Sequence, residues 1–142
     1  MELKIKKLII ILILVFPLVV LGQIQKHKFV EGNIGLASID DYSYGWGIPG
    51  CSFLYGETYV KGAVVTEWQV GVAFPSIVTG KVFVGGGDLK NNCGVAIRPW
   101  PLSIGPQVKI GRLTFSFEIG NNDEASFYAG LISTVGFRWP IK

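Results

Sequence analysis

The sequence predicts an all-β protein: a small antiparallel up-and-down β-barrel of about eight strands, following a cleaved signal peptide over residues 1–22 and forming one domain over residues 23–142. Three observations carry this prediction. Apolar and polar residues alternate with a period of two in one segment after another, the pattern of a strand with two unlike faces. Turn-forming clusters recur roughly every dozen residues, as in a barrel or sandwich. Glycine is abundant, with 18 of its 19 residues after position 22, while charged residues make up only 16% of the chain, against roughly 25% in an ordinary soluble domain.

The leader comes first. "MELKIKK" is a short basic start, residues 8–20 are an apolar run, and "LGQ" follows. That is the layout of a secretory signal, with Val20 and Gly22 suited to the cleavage site. The run contains Pro17 and falls short of the ~20 apolar residues that a spanning helix needs. Three of the 13 basic residues and one of the 10 acidic ones lie in this leader, so the remainder carries a net charge of about +1. The basic balance of the whole chain is therefore no argument for nucleic acid, and no basic patch with interleaved aromatics is visible.

The elements then follow in order. After the polar "QIQKHK", strands are expected at residues 29–39, 45–56, 63–74, 77–86, 93–100, 101–110, 112–120 and 126–139. "DDYSY", "GDLKNN" and "NNDEA" are turns, rich in residues that tolerate turn backbone angles. The cleanest strand is "RLTFSFEIG": Leu113, Phe115, Phe117 and Ile119 share one face, and Thr114, Ser116 and Glu118 the other. Pro49 and Pro106 fall inside expected strands. Proline cannot donate to a ladder and a closed barrel has no edge to hide it on, so the strand number stays open between six and eight, and an open sandwich stays open with it.

The polar faces carry mostly Gly, Ala, Ser and Thr with a few charges. Glu67, Arg98, Lys109, Glu118 and Arg138, with Lys81 as a further candidate, form an expected charge network inside a narrow lumen. Small membrane barrels have such polar interiors, with apolar exteriors flanked by aromatic girdles. Girdle candidates near strand ends are Phe29, Tyr42, Tyr44, Trp46, Tyr59, Trp68, Phe74, Trp100, Phe127, Phe137 and Trp139.

Chemistry-bearing motifs are scarce. The single histidine, His27, sits between two lysines in the polar lead-in, whereas a general base needs a fixed partner and a pocket. "GGGD" at 85–88 reads as a turn, because no helix pattern or Gly-Lys-Ser follows it. The acids of "DDYSY" and "NNDEA" lack the ligand spacing of a calcium loop. Cys51 and Cys93 have no metal-ligand spacing, and an exported protein could either join them in a disulfide or keep two buried thiols. The expectation is therefore a protein without catalytic residues, metal or cofactor.

The ending "VVLGQ" of the leader, the Gly- and aromatic-rich alternation, the "GPQVKI" and "TFSFEIG" strands and the final "SFYAGLISTVGFRW" together resemble small exported and outer-membrane β-barrel proteins of Gram-negative, Bacteroidota-type bacteria. The resemblance spans nearly all of residues 23–142 and rests on pattern, not on a catalytic signature. It implies a non-enzymatic outer-membrane protein with a structural or interaction role, outer-membrane lipid around it and no open pore. Such barrels usually end on an aromatic residue; this chain departs by adding Pro140, Ile141 and Lys142 after Trp139. The alternative expectation is a soluble exported barrel or sandwich, periplasmic or extracellular. It would bind a small apolar ligand such as a lipid, with Leu113, Phe115 and Phe117 lining its core.

Overall fold

The computed structural model describes residues 24–38, 48–74, 76–100, 102–120 and 130–142. The expected signal peptide lies outside these residues, as do Tyr42, Tyr44, Trp46 and Phe127 and the "DDYSY" and "NNDEA" turns. The period-two segments form eight strands: β1 (Gln25–Ser38), β2 (Ile48–Lys61), β3 (Val64–Phe74), β4 (Ile77–Gly87), β5 (Asn91–Trp100), β6 (Leu102–Ile110), β7 (Leu113–Gly120) and β8 (Leu131–Ile141). Each pairs antiparallel with its sequence neighbour, and β1 also pairs with β8, so the sheet closes into an up-and-down barrel. Closure leaves no strand edge unpaired along the wall.

The register fixes the shape. Following paired residues once around the wall leads from Gln25 through Val60, Val65, Gly85, Gly94, Gln107, Ser116 and Thr134 to Gly35, ten residues further along β1. An offset of ten over eight strands, at ~3.4 Å per residue and ~4.8 Å between strands, tilts the strands by about 40° from the axis.

Glycine lets the inner wall close so tightly. A Cβ on Gly105 of β6 would strike the carbonyl oxygen of Phe117 on β7 and come within 2.7 Å of the Cα of Glu118. The hairpins at one end use glycine differently. Gly62 and Gly111 take positive φ of 59° and 62° at the first position of two-residue turns, where a side chain would be strained. The third turn at that end, residues 88–90, is held by Asp88. Its Oδ1 accepts the backbone N–H groups of Lys90 and Asn91, both at 2.7 Å. Those two bonds favour the ionised carboxylate and hold its pKa below the ordinary value. The "GGG" of the expected "GGGD" turn is the end of β4, and the turn itself begins only at Asp88, with no helix behind it.

Prolines sit where a ladder partner is missing. Pro49 pairs with Leu36 of β1, but on its other side the β2–β3 ladder begins only at Cys51. Pro99 lies at the irregularity between the Gly80–Trp100 and Val82–Ile97 pairs. At Pro106 the β6–β7 pairing skips from Ile104 to Gln107 without changing register. Pro140 pairs with Phe29 on β1 beyond the last β7 partner, which is Phe137. The stagger thus supplies local edges at strand ends, which Pro49 and Pro140 use, while Pro99 and Pro106 occupy breaks within the ladder.

Expected and observed strands differ at β1, β2 and β8; β1 starts at Gln25, so residues 25–28 of the expected polar lead-in are part of the wall. The segment "ETYVKG", expected to be a connection, continues β2 to Lys61, because Glu57 and Tyr59 keep the alternation going against Lys28 and Lys26 of β1. In β8 the described ladder starts at Leu131 and runs past Trp139 to Ile141.

Candidate functional site

Strand alternation sends polar side chains inward. Among the described residues, 17 polar or charged residues are buried against only 7 hydrophobic ones, so the interior is mainly polar. All of the 17 except Glu57 lie on lumen-facing positions of the alternation. Glu57 faces outward and is covered by its neighbours: it pairs with Lys26 at 3.1 Å and accepts the Tyr59 hydroxyl at 2.5 Å. The apolar lumen residues include Leu54, a cluster of Val60, Val65, Phe83 and Ala96, and Phe29. Phe29, an expected member of the outer girdle, instead shares the inward face of β1 with Glu31 and Asn33.

Two ionic clusters stack inside the barrel. In the first, Arg98 of β5 grips Glu118 of β7 with two bonds, Nε to Oε2 at 2.9 Å and Nη2 to Oε1 at 3.4 Å. Its third nitrogen, Nη1, donates to Thr79 Oγ1 at 2.8 Å. Glu118 also accepts the hydroxyls of Ser103 at 2.8 Å and Ser116 at 3.1 Å. Both oxygens of the carboxylate and all three guanidinium nitrogens are therefore engaged.

The second cluster crosses the lumen. Lys81 of β4 lies 3.5 Å from Glu31 of β1. Arg138 of β8 donates through Nε to Glu31 and through Nη1 to Glu67 of β3, the latter at 2.5 Å. Thr58 and Thr114 hydroxyls complete the carboxylates at 3.2 and 3.3 Å, and the Arg138 guanidinium lies over the Phe29 ring, 4.1 Å from its centroid. One nitrogen, Arg138 Nη2, is buried without a hydrogen-bond partner among the described residues.

Three carboxylates thus face three cations across the two clusters, which is how a low-dielectric interior tolerates charge. Of the residues singled out from the sequence, the structure brings together Arg98 with Glu118 and Arg138 with Glu67. Lys109 belongs to neither cluster: it donates to the Leu89 carbonyl near the end with the short turns. Glu31, which bridges Lys81 and Arg138, is the member the sequence reading passed over. Its signal was there, since it alternates with Phe29 and Asn33 against Val30 and Ile34, but a face shared with phenylalanine looks like core.

Cys51 and Cys93 need a correction. Both are free and exposed on the outer face. Cys51 lies on β2 near the 39–47 connection and Cys93 on β5 beside the 88–90 turn, at opposite ends of the wall and with different ladder partners. A closed barrel holds them apart, so neither a disulfide nor two buried thiols describes them.

At the end carrying the described termini, Ile24 and Lys142, and the three short turns, the lumen opens into a cavity of ≈ 260 Å³ bordered by Lys28, Lys109, Arg112 and Arg138. No group of three or more His, Cys, Asp or Glu placed to hold a metal occurs among the described residues. No protein-family model matches the chain, and comparisons with curated proteins and with solved structures found no match either. What the geometry itself defines is a small closed eight-stranded barrel with a polar, charge-paired interior and an apolar exterior.

Proposed function

We propose that this protein is a non-enzymatic outer-membrane barrel with a structural or interaction role and no open pore, akin to the small exported barrels of Gram-negative, Bacteroidota-type bacteria, and delivered by the signal peptide of residues 1–22. The observation that carries this reading is the inverted partition of the wall. Ile34, Val72 and Phe74 are 70%, 61% and 67% exposed, while Glu31, Glu118 and Lys81 are sealed inside. Such a surface is costly in water and suited to hydrocarbon. An 11-residue strand such as β3, tilted by about 40°, rises about 28 Å, close to the ~25 Å apolar band of such barrels. Trp68, Tyr59 and Trp139 lie toward the end with the termini, and Trp100 and Phe74 toward the other, as girdles would. Three turns of two or three residues crowd one end, as the short periplasmic turns of such barrels do.

The soluble alternative needed Leu113, Phe115 and Phe117 inside; they are 43%, 42% and 46% exposed, and the side chains filling the lumen are largely polar. The filled lumen with its cross-wall ion pairs also argues for a closed barrel. The test is cell fractionation of the mature protein with heat-modifiable gel migration. Extraction only with detergent and a folded band that shifts on boiling are expected. Recovery in the soluble periplasmic fraction would overturn the reading.

A further inference from the structure

The geometry points to a phosphate-binding site in the vestibule at the end with the termini. Five cations border this cavity: Lys28 from β1, Lys90 from the 88–90 turn, Lys109 from β6, Arg112 from the 111–112 turn and Arg138 from β8. No carboxylate borders it. The nearest turn acid, Asp88, is occupied by the backbone N–H groups of Lys90 and Asn91. The lumen carboxylates Glu31 and Glu67 are engaged by Arg138 and Lys81. Of the five cations, Lys28, Lys90, Lys109 and Arg112 form no ion pair among the described residues, so positive charge gathers here in excess of the carboxylates that Arg138 engages.

Two of the cationic side chains in the cavity wall are more than nine-tenths buried. Lys109 is 6% exposed and forms no ion pair among the described residues; its ammonium meets only the carbonyl of Leu89, leaving donor capacity in an –NH₃⁺ that has three N–H groups. Arg138 is 3% exposed, and its Nη2 is the guanidinium nitrogen left without a partner. Burying a cation with unused donors is unfavourable unless something supplies the acceptors. This contrasts with Arg98, deeper in the same lumen, whose three nitrogens all have partners.

A phosphate group suits these donors. It presents several oxygens in a tetrahedron, so an ammonium and a guanidinium on different strands can bind it together, with Arg112 and Lys90 closing over it from the turns. The cavity, at ≈ 260 Å³, lies just below the ~300 Å³ where drug-sized pockets begin, which fits a phosphate bearing a small substituent. Phe29 and Leu89 give that substituent an apolar wall. Because the site is a mouth of the lumen, it does not depend on whether lipid or water surrounds the outer wall.

Isothermal titration of the refolded full barrel with pyrophosphate, dihexanoyl phosphatidic acid and acetate tests the inference. Saturable binding of a phosphate probe is expected, weakening as salt rises, with acetate at least about tenfold weaker. Lys109→Met should weaken binding by about tenfold, the worth of one charge-assisted hydrogen bond. Arg112→Ser, an exposed turn change that leaves the lumen intact, should weaken it by a smaller factor. Equal affinity for both phosphate probes identifies a free phosphate compound as the ligand type, and much tighter binding of the diacyl probe identifies a lipid headgroup; either result supports the site. Failure of both probes to bind, acetate binding as tightly, or affinity unchanged in both variants would overturn it.

Discussion

The two faces of β7 sit a single residue apart and obey opposite rules. Outward, Leu113, Phe115, Phe117 and Ile119 are exposed. Inward, Thr114, Ser116 and Glu118 are buried and hydrogen-bonded to Glu31, to Thr134 and to Arg98 respectively. In a water-soluble β domain the two sets would exchange places. The difference teaches that the pleat only separates two sets of side chains; on the outer-membrane reading proposed above, surrounding lipid is what makes the apolar set the exterior.

The largest expected effect strikes the inner face. Glu118→Ala leaves Arg98 buried with one partner, Thr79, and should cost about 3–5 kcal/mol in urea unfolding of the reconstituted barrel. The double variant Arg98→Met/Glu118→Leu should recover most of that loss, since a buried pair replaced together by apolar residues is close to neutral. If the double loss equalled the sum of the singles, the two residues would not act as a pair.

Next comes the outer face. Phe115→Arg should cost about 2–4 kcal/mol in liposomes and abolish the heat-modifiable band there. In water the same exposed substitution would cost no more than about 0.5 kcal/mol, so an undisturbed variant would break the comparison between the faces.

Smaller effects belong to the ends, where neither face dominates. Ile77 has a positive φ of 66°, a strained conformation for a β-branched residue. Ile77→Gly should raise stability by about 1 kcal/mol, read as a shift in the urea midpoint. Smallest is the Asp88 turn. Its backbone bonds depress the carboxyl pKa below the ordinary 3.8, so its contribution is fully present above that value and is lost as pH falls through the lower folded pKa. Protection of the Lys90 and Asn91 amides, taken relative to their intrinsic exchange rates, should fall once the pH drops below the ordinary carboxyl range, and Asp88→Ala should show the lower protection at neutral pH already.

Much of the wall could be read in the sequence. Period-two alternation located all eight strands, and β7 matches its expected span to within a residue at its start. The paired charges Arg98, Glu118, Arg138 and Glu67 stood out because few charges interrupt the strands. Three features were not legible. Glu31 pairs with Arg138 only because closure brings the first and last strands together, and one strand's alternation carries no information about which strand lies opposite. The role of Pro49 and Pro140 depends on the ten-residue stagger, which belongs to the ring as a whole. The cationic vestibule gathers residues from two turns and three strands, so no local motif announces it.

Closure also sets an order of events. The Arg138–Glu31 contact joins residues 107 positions apart, and every β1–β8 pair has a comparable separation. Such contacts are the slowest to form, because the whole intervening chain must be gathered first. Until β8 arrives, Glu67 lacks its guanidinium partner and Glu31 keeps only Lys81 of β4. Docking of the last strand therefore seals the wall and completes the second ion cluster together. Slowed assembly, more than lowered final stability, should then be the first symptom of a defective Arg138.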